Sequence, residues 1–137
     1  MFSVDLSTRE CGGHVVVALR GELDIADAAV VAARLAAVAA SEPQIIVDLS
    51  GLEFIDSCGV AALARGRRHA RRAGGDLLLA APRQLVLRVL AMTRLADGFS
   101  VHATVEKAAA SAGHPRPAAV PVPRRPGRMR WPGIGTR

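Results

Sequence analysis

One hydroxyl group, that of Ser57, stands out in the sequence as a place where chemistry could occur. It lies in the stretch 54–60, FIDSCGV, between a run typical of a buried strand and the predicted start of a helix. A serine at a helix start can act as the N-cap while its hydroxyl faces solvent. Because an Asp-Ser pair before a helix is common, the spacing alone favours a well-capped helix without function.

Other groups that could do chemistry lack the partners that catalysis or metal binding needs. His14, His69 and His102 lie in three separate predicted elements and lack metal-ligand spacing. Cys58 could act as a redox-sensitive thiol, but no resolving cysteine is near it, which favours a small packed residue. The sequence has no defensible serine-histidine-acid set, carboxylate pair or phosphate-binding glycine loop. We therefore expect a protein that is not an enzyme and that needs no metal or cofactor.

The elements that must position Ser57 follow from the spacing of apolar residues. The run 44–50 is apolar on both faces, so it belongs inside a sheet covered by helices. Together the patterns predict an α/β domain with a mixed sheet of four to five strands and about four helices, with the loops after the third and fourth strands on one rim. In chain order we expect strands at 4–6 and 14–20 joined at Gly12-Gly13, a helix opening at Asp27, a strand at 44–50, a helix beginning near Ser57, a strand at 76–80, a helix with Pro82 in its first turn, and a short strand and helix within 101–112.

Charge is distributed unevenly along the chain. The net charge of +6 comes from residues 113–137, which hold six arginines and no acidic residue, whereas residues 1–112 carry twelve basic and twelve acidic residues. Cores that bind nucleic acid usually present a continuous basic face, so we expect no direct nucleic-acid binding by the domain. Six of the eight prolines also lie after residue 112. We therefore expect one domain at 1–112 and a disordered, basic, Pro/Arg-rich tail at 113–137.

The compartment is predicted from the cysteines and from the apolar segments. Cys11 and Cys58 belong to no secreted disulfide scaffold, which favours a reducing environment. The amino-terminal sequence MFSVDLSTRE lacks the features of a signal peptide. The longest apolar segment, 28–40, is interrupted by Arg34 and is too short to span a bilayer. We expect a cytoplasmic protein without membrane association.

The stretch 47–60, VDLSGLEFIDSCGV, resembles the signature of the STAS family, the sulphate transporter and anti-sigma factor antagonist domains. The sequences GELD at 21–24 and GGDL at 74–77 resemble two further motifs of that family, and the resemblance covers about residues 3–112. In the family, the residue after the aspartate of an Asp-Ser-Ser/Thr-Gly motif is the serine that an anti-sigma factor kinase phosphorylates. By position this residue is Ser57. Cys58 replaces the second Ser or Thr, a departure that keeps a small side chain but differs from the motif that such kinases usually meet.

The resemblance implies an anti-sigma factor antagonist that works by partner switching. Unmodified, it would bind an anti-sigma factor, a serine kinase of the histidine-kinase-like ATPase type, and so free a sigma factor to regulate transcription. Phosphorylation of Ser57 would end this binding, and a phosphatase would restore it. Asp24 and Asp56 would make the surface around Ser57 acidic, and the arginines of the following helix would supply a basic contact for an acidic partner face. The residues expected to bind the partner are Asp24, Asp56, Ser57, Cys58, Gly59, Arg65 and Arg68.

Other functions stay open at this point. A constitutive STAS scaffold or adaptor, whose serine is never modified, is the main alternative, and a nucleic-acid tether in the tail is a third. The arginine-rich helix is more typical of a solvated face than of a partner contact. A receiver domain, which carries a phosphoaspartate, is excluded because its late lysine should follow a strand, whereas the only lysine, Lys107, falls in the last helical pattern.

Overall fold

Helices and strands alternate along the chain after an initial hairpin, in the order that the apolar patterns predict. The structure is a computed structural model that describes residues 4–94 and 97–112. The disordered tail predicted at 113–137 lies outside the described residues. In chain order the elements are β1 (Val4–Cys11), β2 (His14–Leu23), α1 (Ile25–Ser41), β3 (Gln44–Ile55), α2 (Ser57–Arg72), β4 (Asp76–Ala80), α3 (Gln84–Met92), β5 (Val101–His102) and α4 (Val105–Ala112).

The five strands form one mixed sheet in the order β1-β2-β3-β4-β5. β1 runs antiparallel to β2, and the predicted hairpin at Gly12-Gly13 is confirmed, with φ values of 58° and 84° that glycine adopts without steric cost. The other strands are parallel to their neighbours. The carboxyl ends of β2, β3 and β4 therefore meet at one edge of the sheet, which we call the carboxyl rim. The β2–α1 and β3–α2 connections, which hold Asp24 and Asp56, both lie at this rim.

α1 and α2 cover one face of the sheet. Leu35 of α1 and Leu63 of α2 are fully buried in the same apolar cluster as Leu79 of β4. Gly66 of α2 lets the two helices approach closely, because a Cβ at this position would lie 2.7 Å from Leu35 Cδ1. The close contact between the helices fixes the position of α2, and therefore of its amino end, on the sheet.

α4 covers part of the opposite face of the sheet. Its residues Val105 and Ala108 form a second buried apolar cluster with Ile46 of β3 and Leu78 of β4. β3 is thus covered on both faces, which explains its nearly continuous apolar sequence.

Five element boundaries differ from the predictions, and two of them are the ends of β1 and β2, which extend to Cys11 and Leu23. α1 begins before Asp27, because the Asp24 carboxylate caps it at an earlier residue. β3 continues to Ile55, beyond the predicted end at Ser50, and keeps its pairing with β2 through two register shifts. α3 begins after Pro82, so this proline precedes the helix and does not lie in its first turn. In each case the apolar pattern identifies the element but not the residue at which it begins or ends.

Candidate functional site

Ser57 is the first residue of α2, and its side chain is exposed at the carboxyl rim. The N-cap of this helix is Asp56, whose Oδ1 accepts a hydrogen bond of 2.9 Å from the Gly59 N–H. The prediction that Ser57 is the cap is therefore wrong, because the carboxylate one residue earlier satisfies the helix start. Ser57 consequently presents its hydroxyl to solvent without having to cap the helix.

The Asp56 carboxylate joins the amino ends of α1 and α2. While Oδ1 caps α2, Oδ2 accepts a hydrogen bond of 3.2 Å from the N–H of Ile25, the first residue of α1. The Asp56 N–H in turn donates to the Leu23 carbonyl at 3.2 Å. The structure therefore ties the β2–α1 and β3–α2 connections together by direct hydrogen bonds.

Asp24 lies at the same corner and caps α1. Its Oδ1 accepts a hydrogen bond of 3.0 Å from the Ala26 N–H. Both Asp24 and Asp56 are half-buried, while Ser57 beside them is exposed. The structure thus brings these three predicted residues together, next to two helix amino ends whose dipoles favour negative charge.

Gly59 is buried where the first turn of α2 crosses the ends of β2 and β3. A Cβ at this position would lie 2.7 Å from the Leu23 carbonyl oxygen and 2.7 Å from Ile55 Cγ1. No side chain fits this space without moving the helix. Gly59 therefore belongs to the site by letting Ser57 sit against the rim, whereas the neighbouring half-buried Cys58 packs against the core.

Two arginines of α2 are held by the start of β4. Arg67 Nε lies 2.9 Å from Asp76 Oδ1, and Arg71 Nη1 lies 3.4 Å from Asp76 Oδ2. The Arg67 guanidinium also stands over the Phe99 ring, 5.9 Å from its centroid. Both arginines are therefore paired within the protein, although the side chain of Arg71 is still 57% exposed.

Three other arginines of α2, Arg65, Arg68 and Arg72, are exposed as predicted. Within residues 4–94 and 97–112 none of them has an ion-pair partner. Their spacings of three and four residues place them on one side of the helix, and we call this row the arginine stripe. Arg68 lies about 16 Å along the helix axis from Ser57, at the rise of an α-helix. The predicted contact residues therefore form two groups, one at the rim and one toward the other end of α2.

Sequence reasoning missed Ile25, an apolar residue that is 72% exposed beside Asp56. The expected helix start at Asp27 leaves Ile25 in a connecting loop, where an exposed side chain does not point to a functional site. The signal that could have found it is the position directly after GELD, where Asp24 has the residue type of an N-cap. A large exposed apolar side chain thus lies at the same corner as Ser57.

Metal ligands and membrane-spanning helices are two further features to consider in the described part of the chain. No group of three His, Cys, Asp or Glu side chains that could hold a metal ion occurs there. Nor is any helix within it long and apolar enough to cross a membrane. What the corner combines is an exposed hydroxyl, two carboxylates and two helix amino ends.

Comparison with known proteins gives consistent matches over the described domain. The model of the STAS domain family matches residues 5–108. Anti-sigma-F factor antagonist RsfA of Mycobacterium tuberculosis is 36% identical over 98 residues, which are 69% of this chain and 76% of that protein. The crystal structure of an anti-sigma factor antagonist from Mycobacterium paratuberculosis has a TM-score of 0.71 at 26% identity, over 80% of this chain and 94% of that chain.

SpoIIAA, described as an anti-sigma factor antagonist and as a Bacillus cell fate determinant, is similar in two solved forms. The unphosphorylated form has a TM-score of 0.64 at 25% identity, over 76% of this chain and 92% of that chain. The phosphorylated form has a TM-score of 0.58 at 24% identity, over 76% and 96%. This second likeness concerns the fold alone.

Proposed function

The chain belongs to the STAS domain family, and from this premise we propose that it is an anti-sigma factor antagonist switched by phosphorylation of Ser57. Unmodified, it binds an anti-sigma factor in the cytoplasm and so releases a sigma factor to regulate transcription. The observation that carries the proposal is the exposed hydroxyl of Ser57 at the first position of α2. The 36% identity to an anti-sigma-F factor antagonist supports the same function.

The partner in this proposal is also the kinase. An anti-sigma factor of the histidine-kinase-like ATPase type transfers a phosphoryl group to Ser57, and a phosphatase removes it. The chain is then the substrate of this reaction and performs no catalysis. That SpoIIAA is a protein with a phosphorylated and an unphosphorylated form supports the proposal.

The corner around Ser57 explains why such a modification would act on binding and spare the fold. Phosphorylation adds about −1.5 to −2 charges and three strong acceptors. A helix amino end accommodates this charge, because its backbone N–H groups and dipole attract anions. A docked protein has to meet the same charge next to Asp24 and Asp56, where like charges on its own surface are repelled.

The assignment of the phosphoacceptor is tested by intact-mass measurement. Incubated with the anti-sigma factor and ATP, the wild-type chain should gain the mass of one phosphoryl group, and Ser57→Ala should gain none. Ser50→Ala, which removes another exposed serine that lies on β3, is the matched control and should gain the group as the wild type does. A phosphorylated Ser57→Ala chain would refute the assignment. No gain in any variant, despite binding, would favour the constitutive scaffold.

The arginine stripe is proposed to contact an acidic face of the partner through Arg65 and Arg68. Reversing the charge with Arg68→Glu should slow association by about tenfold at low salt and less at high salt, because steering between opposite charges is screened by ions. Surface plasmon resonance at several salt concentrations measures this. Arg88→Glu, an equal charge change on an exposed residue of α3, should leave association unchanged. Equal slowing by both variants would mean that net charge acts and that the stripe has no specific role.

A further inference from the structure

The Asp56 carboxylate accepts hydrogen bonds from both α1 and α2, and this suggests how phosphorylation of Ser57 affects a residue outside α2. Oδ1 holds the first turn of α2 through Gly59, and Oδ2 holds the first residue of α1, Ile25. We propose that Asp56 is a positioning residue that couples the phosphorylation state of Ser57 to Ile25, an apolar anchor for the partner. This inference rests on the proposed function and adds a second route by which phosphorylation weakens binding.

The hydrogen bonds of the α1 amino end show why Ile25 depends on Asp56. Within the first turn, the Ala26 N–H donates to Asp24 Oδ1, and the N–H groups of Asp27 and Ala28 donate to the Asp24 carbonyl. All three N–H groups therefore donate to Asp24, directly before the helix. The Ile25 N–H instead donates to a carboxylate 31 residues away in sequence.

A phosphate on Ser57 competes with the Asp56 carboxylate. Both anions stand at the amino end of α2, one residue apart, and both are drawn to the same backbone N–H groups. Because the two anions repel one another, phosphorylation favours side-chain conformations in which the Asp56 carboxylate points away from the phosphate. The N–H groups of α2 can then donate to phosphate oxygens, whereas the Ile25 N–H loses its acceptor. The modification is thereby transmitted to α1 through a single side chain.

Ile25 is the residue that loses a hydrogen bond when Ser57 is phosphorylated in this proposal. Its side chain is 72% exposed, while its backbone N–H is held by the hydrogen bond to Asp56. Its N–H is bonded to the side chain of Asp56, the residue directly before Ser57, so a protein docked over the hydroxyl lies close to Ile25 in this proposal. The structure fits an occupant with an apolar pocket for this side chain, and we assign that pocket to the anti-sigma factor. Phosphorylation would then weaken binding in two ways. The phosphate repels the partner, and a less ordered Ile25 makes a weaker apolar contact.

Amide hydrogen exchange, measured by NMR on the full-length chain, tests the coupling without any partner. With phosphoserine incorporated at position 57 during translation, the Ile25 amide should exchange roughly two- to tenfold faster, the factor expected for loss of one hydrogen bond. The Ala26 amide, held by Asp24, is the internal reference and should not change. An unchanged Ile25 amide in the phosphoserine chain would overturn the coupling.

Asp56→Asn separates the two tasks of this side chain, because an amide has one acceptor oxygen where the carboxylate has two. With the remaining oxygen on the cap of α2, the Gly59 amide should stay protected in this variant while the Ile25 amide exchanges faster. Retained protection of both amides would show that Ile25 does not depend on the second oxygen, and would contradict the proposal.

Binding assays distinguish failure of this inference from failure of the proposed function. Ile25→Ser should weaken binding to the anti-sigma factor by about tenfold or more, since it removes a large apolar contact. Leu85→Ser, on α3 with 49% exposure, is the matched control and should bind as the wild type does. If Ser57→Asp abolishes binding while Ile25→Ser leaves it intact, the inference is wrong and the proposed function stands. If the unmodified chain binds no anti-sigma factor, the proposed function itself fails.

Discussion

Ser57→Asp should weaken binding to the anti-sigma factor by roughly a hundred- to a thousandfold, whereas Ser57→Ala should bind within about threefold of the wild type. The carboxylate adds charge to a corner that already holds Asp24 and Asp56. Like charges brought together at an interface cost several kcal/mol, and about 3 to 4 kcal/mol gives a loss of this size. Isothermal titration calorimetry with the purified partner measures both affinities.

The control for this pair places the same charge elsewhere. Ser41→Asp changes an exposed serine at the last position of α1, about 24 Å along the helix from its amino end at the usual rise. It should bind as the wild type does. Because Ser57 is exposed at the helix start, both of its variants should unfold near the wild-type temperature. Unfolding temperatures measured for both variants then exclude misfolding as the cause of weaker binding. Equal affinities for Ser57→Asp and Ser57→Ala would contradict the switch.

The order of the elements could be predicted because each carries its own apolar pattern and its own breakers. β4 spans the predicted residues 76–80, since Gly74-Gly75 ends α2 before it and Pro82 follows it. The apolar pattern places the start of α1 too late, at Asp27, because the pattern does not register the Asp24 cap. The second bond at this helix end, from the Ile25 N–H to Asp56, joins residues 31 positions apart and could not be predicted at all. A hydrogen bond between elements leaves no periodic trace in the sequence.

In the candidate site, too, local features could be predicted from the sequence and contacts between elements could not. Resemblance to the family singled out Ser57, and the helix pattern placed it at the start of α2. The pattern could not show which arginines of this helix are available, because the pairing of Arg67 and Arg71 with Asp76 needs the end of α2 to lie beside the start of β4. Nor could it show that Asp56 serves two helices. These features depend on how the rim is assembled in three dimensions.

The close packing of Gly59 leads to a prediction opposite in sign to that from helix propensity. Alanine is favoured over glycine inside a helix by about 1 kcal/mol, so propensity alone predicts that Gly59→Ala stabilises the protein. The added Cβ would instead meet the Leu23 carbonyl oxygen and Ile55 Cγ1, each at 2.7 Å. A backbone carbonyl in a paired strand cannot rotate away, so the first turn of α2 has to shift. We expect a net loss of about 1 to 3 kcal/mol in the free energy of unfolding, the usual cost of overpacking.

Urea denaturation of the two purified proteins measures this difference, with Ser57→Ala as the control in the same helical turn. Ser57 is exposed, so its replacement should change the free energy of unfolding by no more than about 0.5 kcal/mol. A shift of the α2 amino end in Gly59→Ala also moves the Ser57 hydroxyl, and phosphorylation by the anti-sigma factor should slow even under conditions where the variant is fully folded. If Gly59→Ala is as stable as the wild type or more stable, the residues around Gly59 can move to accept the methyl group. Gly59 is then not what holds Ser57 in place.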